Sequence, residues 1–167
     1  ANGSWTTSVA GNAYSLNGGL IFNGSTFTPN TSTYTFSVNN QSVSGANAFT
    51  LYKVVCGTAG KTLTNNCTNV VTGLTISNTL SGAGNFTNAG LLTLTLTGNP
   101  LALTGTIDFA TNVNTVNYSA AVAQTIAGVA PSTTLNFYNL TISGAHLATN
   151  VTLWNGGTIG ISNVFSL

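Results

Sequence analysis

Ionisable side chains are so scarce in this chain that the chemistry open to it can be considered residue by residue. Lys53, Lys61 and Asp108 are the only charged residues among 167, and His146 is the only histidine. Paired-carboxylate catalysis is excluded because the chain has one Asp and no Glu. His146 and Asp108 could orient a serine, but no G-x-S-x-G elbow is present. We therefore predict that the protein is not an enzyme and uses no cofactor.

Lys53 and Asp108 allow one further reaction. A buried lysine beside an asparagine, with a nearby carboxyl group to carry protons, can form an isopeptide bond of the kind found in surface adhesins. The alternatives are an ion pair between the two residues, or two unrelated exposed charges. The sequence leaves these alternatives open.

The two cysteines, Cys56 and Cys67, bracket the ten residues GTAGKTLTNN. Outside the cytoplasm we predict that they form a disulfide. In the chain-entropy model, closing so short a loop stabilises the fold by about 3 kcal/mol. Two cysteines without a histidine cluster are too few for a metal site.

Asparagine residues in Asn-x-Ser/Thr sequons are the most numerous candidate modification sites. Occupied sites would carry N-glycans and supply the solvation that charged side chains do not. The candidates are Asn2, Asn23, Asn30, Asn40, Asn66, Asn85, Asn117, Asn139 and Asn150.

The composition limits the partners and the setting. Charged residues make up 2% of the chain, against about a quarter in ordinary proteins. Two lysines cannot form a basic footprint for nucleic acid, and the apolar runs are too short to span a membrane. Acid unfolds proteins mainly by protonating carboxylates that are paired in the folded state, and this chain has only one side-chain carboxylate. We therefore expect acid to affect its stability little. The chain begins at Ala1 without Met, which is consistent with an extracellular protein after signal removal.

The clearest structural pattern is the alternation of apolar residues with threonine between Leu91 and Phe109. It predicts two strands of a β-hairpin, joined by a turn at Gly98-Asn99-Pro100. Similar alternation elsewhere predicts roughly ten short strands in all. Residues 118–129 are the one candidate helix, and a strand is the alternative there. We interpret the pattern as an all-β protein with a single incomplete β-sandwich of the Ig or pilin type.

A β-solenoid is the alternative fold, because sequences rich in Thr, Asn and Gly also build solenoids. No convincing repeat of fixed length is visible, which favours the sandwich. The alternating Thr93, Thr95 and Thr97 suggest a further possibility. Regular threonine arrays on flat β surfaces bind ice in some antifreeze proteins, so an ice-binding β-solenoid stays open beside a monomeric adhesin or S-layer-type domain.

In layout, the chain resembles the glycosylated thread-filament pilins of thermoacidophilic archaea, which are similar in architecture to chaperone–usher pilins. The resemblance rests on the sandwich pattern, the cysteines, the sequons and a semi-detached first strand. It implies a donor strand and connector over residues 1–17 and a pilin domain over residues 18–167. The residues inserted into a neighbour would be Trp5, Thr7, Val9 and Ala13. Identical subunits would then polymerise head to tail into a cell-surface filament for adhesion or biofilm formation.

Overall fold

The structure is a computed structural model that describes residues 4–7, 10–24, 26–96, 98–126, 134–144, 150–153 and 157–167. All regular secondary structure in these ranges is β, and no helix there could cross a membrane. The strands are β1 Ser4–Thr6, β2 Ala13–Leu16, β3 Leu20–Ile21, β4 Thr26–Thr28, β5 Thr33–Phe36, β6 Gln41–Gly45, β7 Phe49–Leu51, β8 Lys53–Cys56, β9 Thr62–Cys67, β10 Leu74–Ile76, β11 Leu80–Gly82, β12 Asn85–Asn88, β13 Leu91–Leu94, β14 Leu101–Leu103, β15 Ile107–Asp108, β16 Thr115–Tyr118, β17 Gln124–Ile126, β18 Thr134–Ile142, β19 Val151–Leu153 and β20 Thr158–Ser166.

The strands wind into a parallel β-solenoid of about six turns. Every hydrogen-bonded strand pair is parallel. Through most of the chain, each strand pairs with the strand three places further on, so one turn contains three strands. The largest sheet, which we call the threonine face, contains β7, β10, β13, β16, β18 and β20. A second face contains β2, β5, β8, β11 and β14, and a third contains β3, β6, β9, β12 and β15.

The predicted β-sandwich is therefore wrong, and so is the hairpin at its centre. β13 pairs with β10 and β16 on the threonine face, whereas β14 pairs with β11 on the second face. Gly98-Asn99-Pro100 lies between the two faces rather than between two paired strands. Alternation correctly identifies which side chains point inward, but it does not specify which strand lies alongside.

The repeat is hidden in the sequence because the length of a turn varies. One turn carries the chain from Leu74 to its partner Leu92, whereas the turn from Val54 to its partner Leu80 is longer. The differences arise at the corners, whose loops differ in length while the strands stay in register. A single fixed period cannot describe turns that vary this much.

The core is built from columns of inward side chains that stack from turn to turn. On the threonine face two such columns run side by side, and all but the last member of the second is buried. Each fully buried apolar side chain contributes about 1.5–3 kcal/mol relative to an exposed one. The described part of residues 118–129 contains no helix: β16 ends at Tyr118 and β17 covers Gln124–Ile126, so the strand alternative is the correct one there. The two columns are Phe49, Leu74, Leu92, Val116 and Leu140, and Leu51, Ile76, Leu94, Tyr118 and Ile142.

The N-terminal strand belongs to its own solenoid, which overturns the predicted donor-strand complementation. β1 pairs with β4 of the same chain. The Trp5 ring packs edge-on against the rings of Tyr14 and Phe27, with ring centroids 5.9 Å and 5.2 Å away respectively. Thr7 is buried, and its hydroxyl donates to the Thr28 carbonyl at 3.1 Å. Ala13 lies in β2 opposite residue 33, and Val9 lies outside the described residues.

A ladder of buried asparagines closes the corner between the third face and the threonine face. The Asn65 side-chain amide donates to Asn88 Oδ1 at 2.7 Å, and the Asn88 amide donates to Asn114 Oδ1 at 3.1 Å. All three residues are buried. Stacked asparagines of this kind satisfy one another along a β-solenoid, because successive turns bring identical groups within hydrogen-bonding distance.

Candidate ligand-binding face

The outward positions of the threonine face form a column of small polar side chains. Each member lies directly opposite the next in the parallel register, one per turn. All are half-buried by their neighbours rather than freely exposed. Since β-branched threonine has few χ1 rotamers, most of these side chains are held in a narrow range of orientations. The threonine column consists of Thr50, Thr75, Thr93, Asn117, Thr141 and Ser166.

A second column runs beside the first, two residues further along each strand. Its members follow the ends of β10, β13, β16 and β18, and each backbone N–H continues the ladder. These N–H groups donate to carbonyls of the preceding turn at 3.0, 3.2, 3.0 and 2.9 Å, so the four residues are aligned as the strands are. This serine column consists of Ser77, Thr95, Ser119 and Ser143.

Together the two columns make a two-dimensional array of hydroxyl groups that is interrupted only by the side-chain amide of Asn117. Adjacent strands lie about 4.7–4.9 Å apart, and two residues along a strand span roughly 6.6 Å. The columns are linked where the Ser143 hydroxyl donates to Asn117 Oδ1 at 2.9 Å. Tyr52 marks the N-terminal end of the serine column, where its hydroxyl accepts a hydrogen bond from the Asn78 amide at 3.0 Å. The array is therefore a regular, hydrogen-bonding surface.

No charged side chain lies in the array. Lys53 is in β8 on the second face, Asp108 is in β15 on the third face, and Lys61 directly precedes β9. The hydroxyl groups therefore set the polarity of the threonine face.

Lys53 and Asp108, the predicted isopeptide or ion pair, are not brought together. They lie on different faces, in strands that belong to different sheets. Asp108 instead stabilises a corner, where its Oδ1 accepts hydrogen bonds from the N–H groups of Ala110 at 3.0 Å and Thr111 at 2.9 Å. Partial burial alone would raise the pKa of Asp108, but these hydrogen bonds outweigh it and hold the pKa below its ordinary value.

Cys56 and Cys67 are both buried free thiols in the structure, so the predicted disulfide is not formed there. They end β8 and β9, on adjacent faces. Burial raises the pKa of each thiol to about 12, which keeps both protonated and unreactive at neutral pH. Among the described residues, no group of His, Cys, Asp and Glu could hold a metal ion.

The sequons differ in accessibility, and their occupancy stays a prediction. Asn2 lies outside the described residues, as does His146. Asn139 is tied into the structure, because its Oδ1 accepts hydrogen bonds from the Asn163 amide at 2.9 Å and the Val164 N–H at 3.2 Å. The exposed candidates are Asn23, Asn30, Asn40, Asn66 and Asn150, and the half-buried ones are Asn85, Asn117 and Asn139.

The sequence pattern predicts part of the array but not the direction in which its columns run. Thr93 and Thr95 do point outward, and Thr97 lies outside the described residues. The predicted row runs along one strand, whereas the columns run across strands. A signal is present, since the tetrapeptide Leu-Thr-Ile-Ser occurs at residues 74–77 and again at 140–143, with Leu-Thr-Leu-Thr at 92–95. Each of these tetrapeptides contributes one residue to the threonine column and one to the serine column.

No protein-family model, curated protein or solved structure matches this chain.

Proposed function

We propose that this protein binds ice through the threonine face and acts outside the cell. The observation that carries the proposal is the pair of registered columns, which present hydroxyl groups at the strand spacing in one direction and at two-residue spacing in the other. Ice likewise repeats in two directions, so a regular array can meet it through many hydrogen-bonding groups at once. The array therefore offers a template on which water can adopt ice-like positions.

The chemistry of the side chains supports this role. A threonine carries a hydroxyl group that exchanges hydrogen bonds with water and a methyl group that covers the surface between hydroxyls. The restricted χ1 of threonine means that little side-chain entropy is lost when the surface is occupied. Many weak contacts then add up over the whole face. A charged group would orient water around itself and disturb this order, and the array contains none.

The scaffold supports the role as well. From β7 to β18 the register of the threonine face continues without a shift. The asparagine ladder fixes the corner at which these strands begin. Because water molecules must match a lattice over several repeats, a regular ladder matters more than any single residue. Tight recognition then depends on the surface being ordered before it meets ice.

The first prediction tests the array with a bulky residue. Thr93 occupies the middle of the threonine column, and Thr93→Tyr would raise a ring above its neighbours. We expect the native protein to show thermal hysteresis and to inhibit ice recrystallisation, and Thr93→Tyr to lose most of both activities.

Thr87→Tyr is the matched control, because Thr87 is a half-buried outward residue of β12 on the third face. It should retain native activity. Circular dichroism and thermal unfolding establish that both variants are folded. Absence of thermal hysteresis in the native protein, or equal activity of the two variants, would contradict ice binding through this face.

A further inference from the structure

The two ends of the solenoid are complementary, and we propose that copies of this chain stack end to end. The last turn of one copy would lie against the first turn of the next and continue its parallel ladders. This proposal does not rest on ice binding. It also differs from donor-strand exchange, because no strand leaves its own solenoid.

At the C-terminal end, inward apolar side chains of the last described turn are not covered by any other described strand. Leu135, Phe137 and Leu140 of β18 are at most 3% exposed. Their partners one turn later in β20 are Ile159, Ile161 and Phe165. The first two are only half-buried, and the Phe165 ring is 53% exposed. No described strand lies over them.

The same end contains an open apolar cavity of about 490 Å³. It lies between the β17–β19 pair and the β18–β20 pair. β20 is also an edge strand nine residues long, so one side of its backbone has no strand partner among the described residues. The lining of the cavity includes Ile126, Leu140, Ile142, Val151, Ile161 and Phe165.

At the N-terminal end the relationship is reversed. Tyr14, Leu16 and Leu20 point inward from the first turn but are only half-buried. Their partners in the second turn are at most 3% exposed, because the first turn covers them. Those partners are Tyr34, Phe36 and Val43. Within the described residues, each end therefore lacks the cover that the other end could supply.

The described strands at both ends lack charged residues and prolines, two of the features that prevent edge pairing. Natural edge strands are protected by charged residues, prolines or a covering element. β20 and the first three strands contain no charged residue and no proline. Because the whole chain has a net charge of +1, electrostatic repulsion between copies is weak at any ionic strength. This favours a second copy as the occupant of the exposed ends.

Strand direction decides between the two ways in which copies can meet. All ladders within the described part of the chain are parallel, and head-to-tail stacking preserves that relationship across the junction. Two identical ends meeting about a two-fold axis would instead pair antiparallel. A head-to-tail contact joins two different surfaces and does not close on itself, so it builds a linear filament.

The second prediction tests each end with a charge. Phe165→Lys would block the C-terminal end, and Leu16→Lys would block the N-terminal end. Val113→Lys is the control with equal charge, because Val113 is an exposed residue in the loop before β16. Sedimentation velocity over a range of protein concentrations should show concentration-dependent oligomers for native protein and for Val113→Lys. Each end variant alone should be mainly monomeric.

A mixture of the two end variants distinguishes the arrangement. Each variant keeps one native end, so the mixture should form heterodimers and nothing larger. If the native protein stays monomeric up to its solubility limit, stacking is excluded. If one end variant dimerises alone, identical ends meet and head-to-tail stacking is wrong. Circular dichroism verifies folding, and Leu167→Lys and Leu20→Lys replace any end variant that fails to fold.

Discussion

At the scale of single residues, the buried asparagines show how a chain with almost no charges keeps polar groups in its interior. Asn88 is fully buried, yet its amide donates to Asn114 Oδ1 and to the Gly90 carbonyl, the latter at 2.9 Å. Its own Oδ1 accepts from Asn65. A buried amide is tolerated only when its hydrogen bonds are made, so the ladder depends on every member.

The third prediction removes the middle of this ladder. Asn88→Ala would leave Asn114 Oδ1 and the Gly90 backbone carbonyl without the amide donor they now share. We expect the free energy of unfolding to fall by about 2–3 kcal/mol, measured by urea denaturation. Asn66→Ala, at an exposed position of β9 on the same corner, should change it by less than about 0.5 kcal/mol. Equal losses would show that the ladder contributes no special stability.

At the scale of elements, the corners carry the constraints that set how closely turns stack. Gly82 ends β11 with a positive φ of 112°, and a Cβ there would collide with the Cys56 carbonyl oxygen. Gly60 also has a positive φ, 73°, but a Cβ there would meet nothing within 4 Å. Comparing Gly82 with Gly60 therefore distinguishes the cost of crowding between turns from the cost of a positive φ alone.

The fourth prediction compares these two glycines. Gly82→Ala should destabilise the fold by about 3 kcal/mol or more, because backbone strain and overpacking add together. Gly60→Ala should cost only about 1 kcal/mol, the cost of a left-handed conformation for alanine. Chemical denaturation of both variants provides the measurement. A loss at residue 60 as large as that at residue 82 would mean that stacked turns do not restrict the corner.

The elements also show what the sequence can and cannot predict. Alternation correctly assigns Leu92 and Leu94 to the interior and Thr93 to the surface, because a strand has a period of two whatever it pairs with. It cannot choose between a hairpin and a solenoid corner at Gly98-Asn99-Pro100, since both need a turn. The assignment of Trp5 to a neighbouring subunit is wrong because its strand partner, Phe27 of β4, is distant in sequence and no local signal marks that contact.

At the scale of the whole molecule, most groups with shifted pKa values titrate at alkaline pH, and only one titrates at acid pH. Asp108 is the only side-chain carboxylate, and its pKa is lowered. Four buried groups have raised pKa values, and desolvation is the main cause in each. Burial raises the pKa of the Cys56 and Cys67 thiols to about 12 and also raises the pKa of the Tyr34 and Tyr118 hydroxyls. Stability should therefore respond weakly to acid and strongly to base.

The fifth prediction follows from the sign of each shift. A lowered carboxylate pKa stabilises the fold above about pH 4, and that contribution is lost as pH falls through the folded value. A raised thiol pKa stabilises the fold below the ordinary value of 9.0. Between that value and about 12 the unfolded chain releases protons that the folded chain keeps, so stability falls as pH rises. Urea denaturation should give a plateau between these limits, a small acid loss and a steep alkaline loss.

Two variants test which titratable groups cause the acid loss and the alkaline loss of stability. Asp108→Asn should flatten the acid limb, because it removes the only side-chain carboxylate. The double variant Cys56→Ala/Cys67→Ala should make the alkaline slope shallower, leaving the part due to the buried tyrosines. The slope rather than the absolute stability is compared, since removing buried sulfur atoms also leaves small cavities. An acid limb as steep as the alkaline one would show that groups other than these control the response of the fold to pH.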